Sequence, residues 1–201
     1  MAQIQWDDYS SVLGHDDLVA VFSNRRYPAQ GRSGRISFVS AVGLDSDKLA
    51  FPKQIHSRHV EIASRPGLFS NQKSGTVGLV HTGWRGLVLK ILPATINSIL
   101  QIGENLCDFT VLIGPSIQSC CFDVRGNIID QFVPAFYLKI SNNRYMVDLQ
   151  KWAVHQLVDS GVTRSRITVI NKCTFCSQDE YHSYRRNGPK AGRMVAVIGW
   201  R

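Results

Sequence analysis

The stretch Thr76-Val-Gly-Leu-Val-His-Thr-Gly-Trp-Arg-Gly86 lies near the middle of the chain and decides how the fold is interpreted. Its first half is apolar and ends at His81, which predicts a buried strand over 76–81. Apolar residues then recur at helical spacing from Leu87 to Ile102, and this predicts a helix with a kink at Pro93. A strand, a tight turn and a helix place the polar turn at a helix N-terminus, where anions are favoured.

The same criteria predict further strands and helices on both sides of this stretch. The strands are expected over 18–22, 109–113, 167–170 and 194–198, and the helices over 127–136 and 149–160. Residues 36–42 fit either a strand or a helix. Because strands and helices alternate irregularly, the pattern favours a mixed α/β or α+β fold over a regular doubly wound sheet. We expect residues 1–201 to form a single domain.

The charge pattern narrows the class of partner. The formal net charge is +8, but the basic residues are dispersed along the chain. Nucleic-acid-binding proteins usually concentrate charge on one helix or stripe, so we expect no nucleic acid and favour an anionic small molecule. No apolar run approaches the roughly 20 residues that span a bilayer, so no membrane partner is expected. The odd number of cysteines and the absence of a leader-like N-terminus predict a cytoplasmic protein with reduced thiols.

The chain has two cysteine pairs of uncertain meaning. Cys173 and Cys176 form a CxxC motif, but no second CxxC accompanies it, and a structural zinc site needs four ligands. A redox function would need a thioredoxin-like context, which is not evident. Buried thiols are therefore the favoured interpretation of Cys173 and Cys176, and also of the adjacent pair Cys120 and Cys121.

Five short motifs resemble those of the YfiH/LACC1 family of laccase-domain, purine-nucleoside-phosphorylase-like proteins, and they occur in the family's order. They are Phe22-Ser-Asn-Arg25, Gln54-Ile-His-Ser57, His81-Thr-Gly-Trp-Arg-Gly86, Ile113-Gly-Pro-Ser-Ile117 with Cys120-Cys-Phe-Asp-Val124, and Ser183-Tyr-Arg-Arg-Asn-Gly188 with Gly192-Arg-Met194. The resemblance implies a YfiH/CNF1-like α/β fold, in which mixed β-sheets pack together with helices on their outer faces. The chain resembles a shortened member of the family.

The resemblance also implies a metal site. Members are described as binding zinc, or copper in the laccase reports, through a histidine, a cysteine and a second histidine. The histidines correspond to His56 and His81, but the cysteine position falls at or beside Ser64. A serine hydroxyl is neutral and is a poor zinc ligand, so the metal is expected to bind weakly or to be lost. Cys120 or Cys121 could substitute if the fold brings either one near His81.

Three functions follow from the resemblance. The first is a metal-dependent enzyme that cleaves purine nucleosides with phosphate or deaminates adenosine. His56, His81 and Arg85 would be catalytic, while phosphate or substrate would be held by Arg25, Arg185, Arg186 and Arg193. The second is a metal-free relative that serves as a binding or interaction protein. Polyphenol oxidation is the least favoured, because multicopper sites need many histidines and this chain has six, mostly unclustered.

Overall fold

The computed structural model describes residues 6–27, 29–50, 58, 60, 70–71 and 74–201. The strands are β1 (Trp6–Asp8), β2 (Leu18–Ser23), β3 (Ser70–Asn71), β4 (Phe109–Ile113), β5 (Asp123–Arg125), β6 (Tyr137–Ser141), β7 (Arg144–Val147), β8 (Ile167–Val169) and β9 (Ala196–Trp200). The α-helices are α1 (Gly31–Ala41), α2 (Trp84–Val88), α3 (Ile91–Gln101), α4 (Leu149–Asp159) and α5 (Tyr184–Asn187). Within these residues no helix is long and apolar enough to cross a bilayer.

The first sheet joins the two ends of the chain. Its order is β1-β2-β9, and both pairings are antiparallel. Four of the six residues of β2 from Leu18 onward are buried in succession, as expected for a central strand covered on both faces. Helix α1 packs Phe38 and Val39 against this sheet, and Phe38 is fully buried. Residues 36–41, where strand and helix were both open, are therefore helical.

Two further sheets surround the larger core. One has the order β3-β4-β8, with β4 and β8 parallel, so that both strands deliver their carboxyl ends to the same edge. The other is the antiparallel sheet β5-β7-β6, in which Asn142 and Asn143 form the tight turn between β6 and β7. Helices α3 and α4 pack Ile96, Ile99 and Trp152 into the core between them. The mixed α/β class predicted from the sequence is confirmed.

The predicted helix over 87–102 is broken, but not at the proline. Helix α2 ends at Val88, and α3 begins at Ile91 after Lys90, whose φ of 57° is left-handed. Pro93 lies in the first turn of α3. Proline is tolerated there because the first N–H groups of a helix have no intrahelical acceptor. The expected kink at Pro93 was therefore wrong, and the chain turns at residues 89–90.

Two other predicted elements differ from the structure. Residues 76–81 pair with no strand among the described residues, although Val77 is buried against Leu13 and Leu18. Leu79 in the same run is 42% exposed, so the run is only partly covered, and a strand also needs a ladder partner. The helix predicted over 127–136 consists of two 3-10 turns, at 126–131 and 134–136. Pro134 lacks an N–H and disfavours the helical conformation at Val133 before it, so a continuous helix cannot form.

Candidate functional site

The short helix α5 contains two adjacent arginines, Arg185 and Arg186, whose side chains lie in different surroundings. It belongs to the segment from Ser183 to Gly188, and it contributes Arg185 to one surface cleft and Asn187 to a second one. Arg185 is exposed, whereas Arg186 is partly buried. The two side chains therefore lie in different surroundings, and their expected binding of phosphate or substrate stays a prediction.

Arg186 is bound by the protein itself. Its Nη1 donates to the carbonyl oxygens of Thr174 at 3.0 Å and Phe175 at 2.6 Å, and its Nη2 donates to the carbonyl of Tyr181 at 2.6 Å. Tyr181 is fully buried, and its hydroxyl donates to the carboxylate of Asp7 in β1. The donors of Arg186 are therefore occupied by backbone carbonyls. This guanidinium holds the C-terminal loop in place, while the contact with phosphate expected from the motifs stays a prediction.

The first cleft, called the aromatic cleft below, has a volume of about 550 Å³. It is lined by Trp84, Cys121, Phe122, Asp123, Val124, Arg125, Ile128, Phe175 and Arg185. The guanidinium of Arg185 lies 4.9 Å from the ring centre of Phe122, and its Nη1 donates to the Asp123 carbonyl. Three of the sequence motifs meet here. The cleft therefore combines flat apolar walls with an exposed cation, a composition suited to an aromatic ligand carrying negative charge.

The wall of the aromatic cleft is set by the turn before α2. Trp84 is the first residue of that helix, and its ring packs on Phe132 with a centroid separation of 5.7 Å. Arg85 is exposed, and its Cζ lies over the same ring, 4.4 Å from the centroid. A side chain at Gly86 would approach Ile91 Cγ2 to 3.1 Å. Glycine there lets α2 fold closely onto α3, and this fixes the direction of Trp84.

The second cleft, called the basic cleft below, has a volume of about 400 Å³. It is lined by Arg25, Gln30, His182, Asn187, Pro189, Lys190, Ala191 and Gly192. A Cβ at Gly192 would lie only 2.5 Å from the ring of His182 and 2.7 Å from Gln30 Nε2. The backbone at Gly192 is therefore in direct contact with the imidazole, and only glycine fits this position without displacement.

Cations surround the imidazole of His182. Its burial, followed by the charges of Arg25, Arg186 and Arg193, lowers the pKa of His182. Arg25 is anchored by its Nη1, which donates to the Gln178 carbonyl at 2.6 Å. Arg193 similarly donates from Nη1 to the carbonyl of Ala191 at 2.7 Å. Arg25 and Arg193 are thus tethered beside the basic cleft while both remain exposed. Their charge favours a neutral histidine and an anionic occupant.

The expected metal ligands are only partly within the described structure. His81 is exposed and lies three residues before Trp84, the first residue of α2, with Nε2 3.4 Å from the position of a Cβ on Gly83. His56 and Ser64 lie outside the described residues. Among the residues that are described, His81 belongs to no group of three or more potential metal ligands. The expectation that Cys120 or Cys121 completes a site at His81 has no support in this arrangement.

All four of the paired cysteines meet instead at one place. The ligand atoms of Cys120, Cys121, Cys173 and Cys176 lie within 4.8 Å of one another. The Sγ of Cys176 is 3.3 Å from that of Cys121 and 3.8 Å from that of Cys120. Cys173 is buried, but Cys120 and Cys176 are exposed, so the prediction of buried thiols is wrong for two of the four. The adjacent pair supplies what a second CxxC motif would have supplied, a possibility that motif spacing alone did not indicate.

Three of the thiols, those of Cys120, Cys121 and Cys173, have shifted pKa values. Burial raises the pKa of Cys120 and of Cys121, and the neighbouring thiols raise that of Cys121 further. Burial also opposes ionisation of Cys173, but hydrogen bonds from the backbone N–H groups of Cys176, Gln118 and Phe175 outweigh it and lower the pKa of Cys173 to about 7. One thiolate is therefore favoured at neutral pH, and further ionisation needs a cation to offset the repulsion between sulfurs.

The chain belongs to the family described as multi-copper polyphenol oxidoreductase laccase, whose pattern matches residues 65–201. Among solved structures, the protein YfiH of Bacillus licheniformis superposes with a TM-score of 0.81 at 21% identity, over 92% of this chain and 93% of that one. The resemblance to the YfiH family noted in the sequence motifs is thereby confirmed for both family and fold.

Curated relatives carry names of purine nucleoside enzymes. A 145-residue match at 34% identity to the purine nucleoside phosphorylase YlmD of Geobacillus stearothermophilus covers 68% of this chain, but the chain spans only 53% of that relative. The purine nucleoside phosphorylase PA4543 of Pseudomonas aeruginosa is 32% identical over 91% of this chain and 81% of its own length. The adenosine deaminase RL5, from an unknown prokaryotic organism, is 23% identical over 82% of this chain and 79% of its own.

Proposed function

We propose that this protein acts on purine nucleosides and that phosphorolysis is its reaction. The observation that carries the proposal is the make-up of the aromatic cleft. Trp84, Phe122 and Phe175 offer flat apolar walls for a purine ring, and Arg185 offers a fork of N–H donors for phosphate. The purine nucleoside phosphorylase names of two relatives support the same chemistry. A volume of about 550 Å³ is within the usual range for a small-molecule site.

In this reaction, a phosphate oxygen forms a bond to C1′ of the ribose as the bond from C1′ to the purine nitrogen breaks. The purine leaves with the electron pair and takes up a proton. Arg185 would hold the phosphate, and Trp84 would orient the base. Arg85 would act through Trp84, because its guanidinium covers that ring rather than lining the cleft. Positioning of this kind supplies much of the catalysis of group transfer.

The family's metal site can be compared with the potential ligand residues that this chain offers. The histidine–cysteine–histidine pattern needs a thiolate, and this chain offers the neutral hydroxyl of Ser64 at the corresponding position. His81 is the expected ligand that the described structure contains, and it belongs to no group of three or more potential ligands among the described residues. These residues do not fit the family's site, so no step of the proposed reaction is assigned to a metal. His81 is proposed to act from the turn that precedes α2, where its side chain is exposed.

The experiment is turnover of inosine in phosphate buffer and in phosphate-free buffer, with hypoxanthine and ribose 1-phosphate measured by chromatography. Hypoxanthine should form only when phosphate is present. Changing His81→Ala should abolish turnover, whereas His155→Ala, at an exposed position on α4, should not. Normal turnover of the His81→Ala variant would exclude a catalytic role for that residue. Formation of inosine from adenosine without phosphate would assign the chain to deamination, the activity named for RL5.

A binding protein without turnover is the second candidate, and Ser64 favours it, because losing the cysteine removes the strongest ligand of the family's site. In that case inosine would bind to the aromatic cleft unchanged, and Arg185→Ala would weaken the binding measured by calorimetry. Oxidation of a phenol in the presence of copper would instead support the activity in the family's description.

A further inference from the structure

We infer that Cys120, Cys121, Cys173 and Cys176 form a tetrathiolate zinc site that ties the loop after β4 to the loop after β8. This inference does not depend on the proposed reaction, because none of the four cysteines is assigned a role in it, although Cys121 also lines the aromatic cleft. It rests on the four sulfurs, which converge from two sequence-distant loops to within 4.8 Å of one another.

The spacing of the sulfurs matches a tetrahedral zinc site. Four sulfurs, each about 2.3 Å from a zinc ion, lie about 3.8 Å from one another. The Sγ atoms of Cys120 and Cys176 are 3.8 Å apart, and those of Cys121 and Cys176 are 3.3 Å apart. The remaining separations do not exceed 4.8 Å. Small rotations of the cysteine side chains would therefore bring all four sulfurs within bonding distance of one zinc ion.

The protein backbone already holds the two loops together. Ser116 and Cys173 form a parallel bridge, in which the N–H of Thr174 donates to the Ser116 carbonyl at 3.0 Å. On the same loop, the side-chain amide of Gln118 donates to Asn171 Oδ1 at 2.8 Å. Parallel pairing of β4 with β8 starts both loops at the same sheet edge. The thiols are thus brought together by the fold, which lowers the entropic cost of binding an ion.

The surroundings favour thiolates. The N–H groups of Phe175 and Cys176 donate to the sulfur of Cys173, and the N–H of Gln118 donates to it from the other loop. The guanidinium of Arg186 lies against the carbonyls of Thr174 and Phe175, the two residues between the CxxC cysteines. Zinc with four thiolates carries net negative charge. Amide donors and a nearby guanidinium stabilise such a centre from its second coordination sphere.

Thiolate chemistry and ligand number identify the ion and its role. Four sulfur ligands select a thiophilic ion over magnesium or calcium, and a tetrahedral arrangement of four thiolates fits zinc. With all four positions taken by protein there is no place for a water or substrate, so the site is structural. It would fix Phe175 in the wall of the aromatic cleft and the carbonyls that hold Arg186.

The test is a Co²⁺ titration of the unmodified, reduced, metal-free protein under anaerobic conditions, followed by absorption spectroscopy. Tetrahedral cobalt bound to four thiolates gives strong thiolate-to-cobalt charge-transfer absorption, and stoichiometric Zn²⁺ should abolish it. The absorption should saturate at about one equivalent of cobalt. It should be lost or strongly reduced in Cys173→Ser and Cys176→Ser. The matched control is Cys107→Ser, an exposed cysteine outside the cluster, which should retain it.

The His81→Ala variant separates this site from the family's expected one. Charge-transfer absorption that persists in His81→Ala assigns the cobalt to the thiols, whereas its loss would place the ion at His81 and overturn the inference. Absence of the absorption in the unmodified protein would also overturn it, as would a disulfide between Cys121 and Cys176 in protein purified anaerobically, detected by mass spectrometry. As an independent measurement, zinc removal should lower the Tm of the unmodified protein by about 5 °C or more and leave that of Cys173→Ser unchanged.

Discussion

The two clefts on either side of α5 are built from adjacent residues but differ in character. The aromatic cleft has Trp84, Phe122 and Phe175 in its walls with two exposed arginines, Arg125 and Arg185, whereas the basic cleft is polar and surrounds His182 with positive charge. The first suits a flat apolar ring beside an anionic group, and the second suits an anion alone. Their common boundary depends on Arg186, which faces neither cleft. The same short sequence therefore supplies a cleft-lining arginine and a structural anchor at two adjacent positions.

The largest expected effect comes from removing that anchor. Arg186→Ala should lower the free energy of unfolding by about 3 kcal/mol, because it leaves the carbonyls of Thr174, Phe175 and Tyr181 without their donor. Urea denaturation followed by circular dichroism measures the change. Arg185→Ala is the matched control and should cost less than about 1 kcal/mol, since that side chain is exposed. Equal losses for the two arginines would contradict the division of roles.

Next in size is the effect of crowding the basic cleft. Gly192→Ala should lower the free energy of unfolding by about 2 kcal/mol, because the new methyl group would overlap His182 and Gln30. The control is Gly114→Ala, where a Cβ meets no atom within 4 Å, and it should change stability little. Thermal unfolding of both variants measures the difference. If Gly192→Ala is as stable as the control, the backbone does not contact the imidazole as described.

A smaller expected effect, on the KM for phosphate, shows which of the two clefts binds phosphate. Arg185→Ala should raise the KM for phosphate about tenfold, which corresponds to about 1.4 kcal/mol. Arg25→Ala should raise it less, because its guanidinium lies in the basic cleft and is tethered to Gln178. Initial rates of inosine phosphorolysis at varied phosphate give both values, with the exposed Arg166→Ala as the control. The opposite order would move the phosphate into the basic cleft.

The smallest effect is a pH dependence of stability. The pKa of His182 is lowered in the folded protein from its usual 6.5, chiefly by burial and then by three arginines. The unfolded chain therefore binds a proton more readily, so His182 makes the protein less stable as the pH falls below about 6.5. His182→Gln should reduce this loss. Unfolding free energies at about pH 5 and about pH 8 provide the test, and an unchanged difference between the two pH values would exclude the effect.

Local sequence predicted the strands and the helix that have clear apolar runs or clear helical spacing. The strands near residues 18–22, 109–113, 167–170 and 194–198 and the helix near 149–160 correspond to β2, β4, β8, β9 and α4. The hairpin of β6 and β7 was missed, although Asn142–Asn143 between alternating residues is a recognisable turn signal. The predicted helix over 127–136 was wrong because the prediction gave the apolar spacing more weight than Pro134. In the structure, the N–H group that Pro134 lacks prevents a continuous helix, and two 3-10 turns form instead.

The candidate site likewise has features that the sequence predicted and features that only the structure shows. Motifs indicated Arg185 and Arg186 together, since adjacent arginines in a glycine-containing loop look equivalent in sequence. Only the packing of α5 shows that Arg186 is directed to carbonyls and Arg185 to a cleft. The importance of Trp84 as a cleft wall was left open by the sequence. It follows from the contact of Gly86 with Ile91, which fixes α2 on α3.

By itself, the sequence determined the family, the mixed α/β class and the motifs that carry the proposed chemistry, because those are properties of short, ordered stretches. It also led to the prediction that the family's cysteine position falls at or beside Ser64. Tertiary structure alone decided that Cys120 and Cys121 meet Cys173 and Cys176. More than 50 residues separate Cys121 from Cys176, and nothing in either pair specifies the other. Their meeting results from the parallel pairing of β4 with β8, a long-range contact that local patterns do not encode.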